Sequence, residues 1–328
     1  TSPRPFEEKM TLFWHGHFTS GAREVRRAMF MLEQNEFLRK HALSSFDELV
    51  LGISKDRAML TYLDNVRNVK RQPNENYARE LLELFTLGVG HYSENDIKAA
   101  ARAFTGWSFD EAGFQFRRAL HDFDAKSFLG TQGNLDGGDI VGIIVAQRAC
   151  SEHLATKLLE FYVCPAPDKA LVRRLAAEIR KEKFRLRFVM KTLFCSKAFY
   201  DEDVRGSLIK SPVELLVGSA RQLGLPLNDL FEAERALVGM GQELMQPPNV
   251  KGWDGGAKWI NTATLYNRYN TVSALIEGDQ RADRRRESPD TMDDGMKPRE
   301  MRSPTMMASD MAPKSRRRGD RQPPYDPM

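Results

Sequence analysis

Apolar positions in this chain recur at three- and four-residue steps through most of its length, the spacing that gives a helix one buried face. Phe6, Met10 and Phe13/Trp14 set the period at the start, with Gly16 and Gly21 interrupting it, and an amphipathic run follows from Ala22 to Leu43. Ser44 and Ser54 stand where helix N-caps belong, since a short side-chain oxygen can accept from the free amides of a first turn. Residues 64–73 are polar, and Asn74 then caps the run that ends at Gly88. Read as one continuous helix, that run sets Tyr77, Leu81, Leu84 and Gly88 on one side and Asn76, Glu80 and Glu83 in a polar stripe opposite.

Ser93-Glu94-Asn95-Asp96 reads as a capping box that launches an alanine-rich helix through Phe104. The period then changes: Phe109, Phe114 and Phe116 around Glu111-Ala112-Gly113 predict a small hairpin. Helical spacing resumes from Ile140 to Val163, Asp168 to Lys181 and Arg185 to Phe194, then from Pro212 to Leu223, Leu227 to Leu244 and Thr262 to about Ile276. The pattern predicts an all-α fold, a mainly helical multi-helix domain over residues 1–277, with a β-hairpin insertion near 108–120. Residues 278–328 hold half of the methionines, two arginine triplets and almost no aliphatic side chain. They are read as a disordered tail, because they cannot bury enough apolar area to offset ordering entropy.

Composition changes this picture little. With 328 residues and 41% hydrophobic content the chain can bury a sizeable core. A net charge of +4, from 49 basic and 45 acidic residues, gives no strong field toward nucleic acid or an anionic membrane. No apolar run reaches the roughly 18 residues that would span a bilayer. Cys150, Cys164 and Cys195 form no CxxC pair, which removes zinc-ribbon and thioredoxin-like readings. Cys150 and Cys164, in apolar helical runs, read as free thiols acting as small hydrophobes, with one disulfide still open.

Candidate chemistry gathers in four places. His15 and His17 flank Gly16: if the helix ends there, two residues i and i+2 share a face and could present both imidazoles to one metal. If it continues, they diverge, His15 packing with Trp14 and His17 capping the helix end. Glu80 and Glu83 lie one turn apart, so their charges repel unless Arg79 or Arg102, a metal or a shared proton intervenes. His121, Asp122 and Lys126 bring an imidazole, a carboxylate and an ammonium into one loop, a favoured position for chemistry. Finally Trp107, Trp253 and Trp259, with Asn76 and Asn249, either line a groove for a sugar or peptide or lock loops onto the helical body.

Acid–base candidates are therefore Glu80, Glu83, His121, Asp122 and Lys126. Candidate ligands for a divalent transition metal such as zinc, iron or manganese are His15, His17, Glu80, Glu83 and His121. No nucleophile elbow, P-loop, dinucleotide fingerprint or HExxH motif occurs.

Several multi-residue motifs recur in order: Phe13-Trp14-His15-Gly16-His17-Phe18, Gln34-Asn35, Asn74 to Gly88, Phe104-Thr105-Gly106-Trp107, and His121-Asp122 with Lys126 and Leu129-Gly130. Lys210-Ser211-Pro212, Gly241-Gln242, Gln246 to Trp253 and Trp259-Ile260 complete the set. In this order they resemble the bacterial DUF1800 family, a domain of unknown function, over about Phe6 to Asn270. Asp124 departs from the glycine often found after the family's His-Asp pair. The resemblance implies a further helical portion ahead of the Trp14 motif, so the chain reads as the larger C-terminal part of such a domain with an unrelated tail. It also implies a bacterial, often exported protein with a periplasmic or extracellular setting, encoded beside a sulfatase-like protein. It supplies no catalytic residues. Two functions stay open: a binding or assembly protein acting with a secreted sulfatase-like partner, or a metal-dependent enzyme with a His/Glu site in a helical groove.

Overall fold

Helix α1 (Pro5–His17) begins on a proline, which loses no hydrogen bond at a first position, and buries Met10, Phe13 and Trp14. The computed structural model of the chain describes residues 2–227 and 229–287, with side chains up to residue 277. The Ala22–Leu43 run divides where Arg26 takes a φ of 56°, ending α2 (Ala22–Val25) before α3 (Ala28–Lys40). Ser45, not Ser44, precedes α4 (Phe46–Ser54). Asp56 rather than Ser54 caps α5 (Arg57–Tyr62), accepting from the Met59 amide at 2.8 Å. Ser54 instead lies inside α4 and donates to the Val50 carbonyl.

Helix α6 (Asn76–Glu80) passes directly into a π-helical turn, Leu81–Thr86. The Asn74 side chain accepts from the Asn76 amide at 3.0 Å beside its start. Helix α7 (Glu94–Ala103) opens with the Ser93/Asp96 capping box that its sequence predicts. The expected hairpin follows as β1 (Trp107–Asp110) and β2 (Gly113–Phe116), antiparallel, with Trp107 opposite Phe116. A second hairpin, β3 (Lys126–Phe128) and β4 (Thr131–Gly133), has strands too short to show alternation in the sequence.

Gln147, extended, divides the Ile140–Val163 run into α8 (Gly137–Ala146) and α9 (Arg148–Tyr162), followed by α10 (Lys169–Lys181) and α11 (Leu186–Phe194). One apolar core runs continuously from α1 to α11. Helices α12 (Pro212–Leu223) and α13 (Leu230–Gly239) share a small cluster of their own, Leu216, Leu237 and Met240. Helix α14 (Thr262–Glu287) is tied by Asn267, which donates to the Gly239 carbonyl, and by buried Arg268, which donates to the Lys210 carbonyl at 2.7 Å.

Among the described residues the fold is all-α with two small antiparallel hairpins. The tail boundary expected at 278 falls inside α14, and the rest of that tail, residues 288–328, lies outside the described residues. No helix among the described residues is long and apolar enough to cross a membrane. Cys150, Cys164 and Cys195 are all free thiols, Cys150 buried.

Candidate functional site

The π-helical turn is the unusual backbone element of this fold. Leu87 donates its amide to the Leu82 carbonyl five residues back, and Gly88 reaches the same carbonyl, so the ladder slips by one residue and leaves later carbonyls without helical partners. Two histidines from elsewhere supply donors. His17 Nε2–H donates to the Phe85 carbonyl at 2.9 Å, and His153 Nε2–H on α9 donates to the Leu84 carbonyl at 2.8 Å. Their rings lie 6.2 Å apart. Burial pushes His17 down to about 3, with nearby His153 adding to the effect, and pushes His153 down to about 4. Both rings are therefore neutral donors that hold the turn.

His15 faces another way, because α1 continues through Gly16 and the two imidazoles diverge. The Met245 amide donates to His15 Nε2 at 3.1 Å, which fixes the tautomer with its proton on Nδ1. Burial pushes its pKa down to about 4. Half-buried Trp253 stands 5.6 Å from the His15 ring. His15 thus anchors the loop from Glu243 to Trp253, which makes further bonds to the end of α1 and to α2. Thr19 Oγ1 donates to the Val250 carbonyl at 2.6 Å, the Arg23 amide to Gln246 Oε1 at 2.9 Å, and Arg23 pairs with Glu243 at 2.8 Å. Exposed Asn249 accepts from the Lys251 amide at 2.8 Å, tightening the turn. Gly252 has a φ of +79°, and a Cβ there would meet the Gly16 carbonyl oxygen at 2.5 Å.

Glu80 and Glu83 are half-buried at the edge of the π-helical turn. Neither of the expected cations pairs with them: Arg79 binds Glu75 and Glu94, and Arg102 binds Asp122. Glu83 accepts from the Tyr92 hydroxyl at 3.2 Å. Glu80 forms no ion pair or hydrogen bond among the described residues, and burial, then the Glu83 charge, raise its pKa against the pull of Arg79 and Lys251. Asn76 is exposed on the same helix.

His121, Asp122 and Lys126 do share one loop, but each is spent on holding it. His121 is buried between the Phe116 and Phe123 rings, and its Nδ1–H donates to the Thr105 carbonyl at 2.8 Å. Burial alone would lift the Asp122 carboxyl, yet the hydrogen bonds from Arg102, at 2.6 Å, and from the Asp124 amide hold it below the usual range. The Lys126 ammonium is buried and donates to the Asp122 and Asp124 carbonyls at 2.6 and 3.0 Å. Burial lowers its pKa, against Asp122.

Of the three tryptophans weighed as groove-liners, Trp107 and Trp259 are buried and lock their segments onto the body. Trp107 packs edge-on against Phe104 and Phe114, with the Lys55 ammonium over its face. Only Trp253 keeps an open side. His15, His17, Glu80, Glu83 and His121 do not come together: among the described residues no three His, Cys, Asp or Glu side chains form a group that could hold a metal ion.

Sequence reasoning passed over two features. His153, in the middle of an apolar helical run, is the second histidine that donates to the π-helical turn. Asp56 forms a buried network with Gln34, whose Nε2–H donates to it at 2.7 Å and to Ser20 at 3.0 Å. Burial raises the Asp56 pKa to about 6. The Asp-x-x-Met cap could have been seen ahead of α5; its burial could not.

No curated protein and no solved structure matches the chain. Residues 1–323 match a family described as "Protein of unknown function (DUF1800)", a span that runs past Asn270, where the resemblance was expected to end, and takes in most of the segment expected to be an unrelated tail. On that match, which takes in nearly the whole sequence, this chain belongs to the DUF1800 family.

Proposed function

We propose that this protein is a binding or assembly protein that acts with a secreted sulfatase-like partner and meets it through the outward faces of α12, α13 and α14. The observation that carries this reading is the exposure of large apolar side chains there. Leu230 and Phe231, opening α13, are 74% and 81% exposed, and Tyr266 and Tyr269 on α14 are 67% and 73% exposed. Leu223, Val238 and Leu265 on the same helices are also exposed. Side chains of this kind, gathered on a few neighbouring helices, mark protein-binding surfaces, and aromatic residues carry much of the energy at such contacts. The sulfatase-like character of the partner, and export, rest on the family resemblance.

The metal-dependent enzyme alternative is less well supported, because its proposed ligands stand in separate networks and His17 and His121 each donate to a backbone carbonyl. Co-purification of the protein with its sulfatase-like neighbour tests the binding role. A Phe231→Asp/Tyr269→Asp double variant is expected to fold and to lose at least tenfold in affinity, with Trp253→Ala close to wild type. Unchanged association of the folded double variant would overturn this surface, and no association of the wild type would overturn the partnership.

A further inference from the structure

A cavity of about 650 Å³ opens between the start of α1, the end of α3 and the start of α11. Its three carboxylates are all engaged, but by only two cations. Glu7 pairs with Arg4 at 3.4 Å, and Arg39 serves both Glu8, at 3.1 Å, and Glu36, at 2.5 Å. The walls also carry Lys40 and Arg187, whose side chains make no ion pair or hydrogen bond among the described residues. Four cations face three carboxylates, so the cavity holds one surplus positive charge.

Its neutral donors point to the same chemistry. Ser44 lines the cavity, and its hydroxyl has no hydrogen-bond partner among the described residues. The backbone around it is fixed: the Leu186 amide donates to the Ser44 carbonyl at 3.0 Å and the Arg187 amide to the Leu43 carbonyl at 3.3 Å. These bonds pin the segment after α3 to the first turn of α11, whose dipole adds positive potential where Arg187 stands. Lone surface cations are usually just solvated. Here two of them share one concave site with a free hydroxyl, and only one carboxylate charge is left over from the existing pairs to offset them.

We propose that this cavity binds a small hydroxylated molecule carrying one oxyanion group, held by Arg187 and Lys40 with Ser44 Oγ donating to it. A guanidinium grips an oxyanion through two parallel N–H bonds, and an ammonium adds a point charge that tolerates different approach directions. The Arg39–Glu8–Glu36 group offers both donors and acceptors to hydroxyls of the remainder. The volume suits a molecule of sugar size. This site uses residues separate from the α12–α14 surface and does not depend on the partner proposed there.

Titration of the full chain with inorganic sulfate, inorganic phosphate and acetate, each against chloride at constant ionic strength, tests the site by calorimetry and thermal melting. At least one oxyanion is expected to bind saturably, with a dissociation constant in the millimolar range for these minimal probes, and to raise the melting temperature. Arg187→Ala and Lys40→Ala should each weaken binding at least fivefold, Arg187→Lys should fall between, and Lys98→Ala, an exposed cation on α7, should leave it unchanged. The ranking of the three ions then assigns a tetrahedral or a planar anion. Absence of saturable binding over chloride would overturn the proposal, as would equal weakening by Lys98→Ala.

Discussion

Asp56 shows how one residue can carry a pH dependence. Its carboxyl titrates near 3.8 in the ordinary range and is raised to about 6 in the fold, chiefly by burial. A raised carboxyl pKa means that the folded state holds its proton longer than the unfolded chain. The stability this supplies is fully present below 3.8 and is lost as pH rises through 6. At about 1.4 kcal/mol per pKa unit the whole effect is on the order of 2–3 kcal/mol. Asp56→Asn keeps an N-cap oxygen that can accept from both the Met59 amide and Gln34, and it removes the ionisation. The variant is therefore expected to exceed wild type by about 1–2 kcal/mol at pH 7.5 and to converge with it near pH 4, in urea unfolding at the two pH values. A loss of stability at pH 7.5 would show that the charged carboxylate is needed. The sequence discloses an acidic residue ahead of α5. It does not disclose that Gln34 and Ser20 close over it, because those contacts come from residues more than twenty positions away.

At the scale of elements, the signature run shows where periodicity stops being a guide. Its apolar spacing is that of a regular helix, and α6 forms as the spacing predicts. The π-helical turn that follows shifts the buried face: Leu81, Leu82 and Phe85 are buried while Leu84 and Gly88, expected on the same side as Tyr77 and Leu81, are only half-buried, and nothing in the hydropathy pattern signals the shift. It persists because His17 and His153 donate to its carbonyls from 68 and 69 residues away. The loop from Glu243 to Trp253 is likewise set by long-range contact. At Gly252 both the positive φ and the Gly16 carbonyl exclude a side chain. Gly252→Ala is expected to lift this loop from α1, costing about 1–3 kcal/mol, with faster proteolysis confined to residues near 245–255. Protection equal to wild type would mean that the backbone relaxes without losing the dock.

For the whole molecule, buried neutral histidines make acid the expected weakness. His15, His17 and His153 have pKa values depressed to about 4, 3 and 4, so the stability they supply is present above their ordinary value of 6.5 and is lost as pH falls toward the folded values. Between pH 6 and 4 the unfolded chain holds close to three histidine protons that the fold largely excludes, while the fold holds one on Asp56, leaving a difference of about two, trimmed further by Glu80. Stability should then fall by roughly 2–3 kcal/mol per pH unit, enough to unfold an ordinary domain within that range. Urea midpoints measured from pH 7 to 4 check this, and a flat profile would contradict the burial of these rings. By itself the sequence determined the helical class, the first hairpin, the capping box of α7 and the family, because periodicity, turn residues and ordered motifs are local or additive along the chain. The tertiary structure decided that His15 and His17 diverge, that Trp107 and Trp259 are buried, that Glu80 has no ion pair or hydrogen bond among the described residues, and that Lys40 and Arg187 face one cavity. Each of these depends on which distant segments meet, and burial, pairing and free charge are properties of that meeting rather than of any residue type.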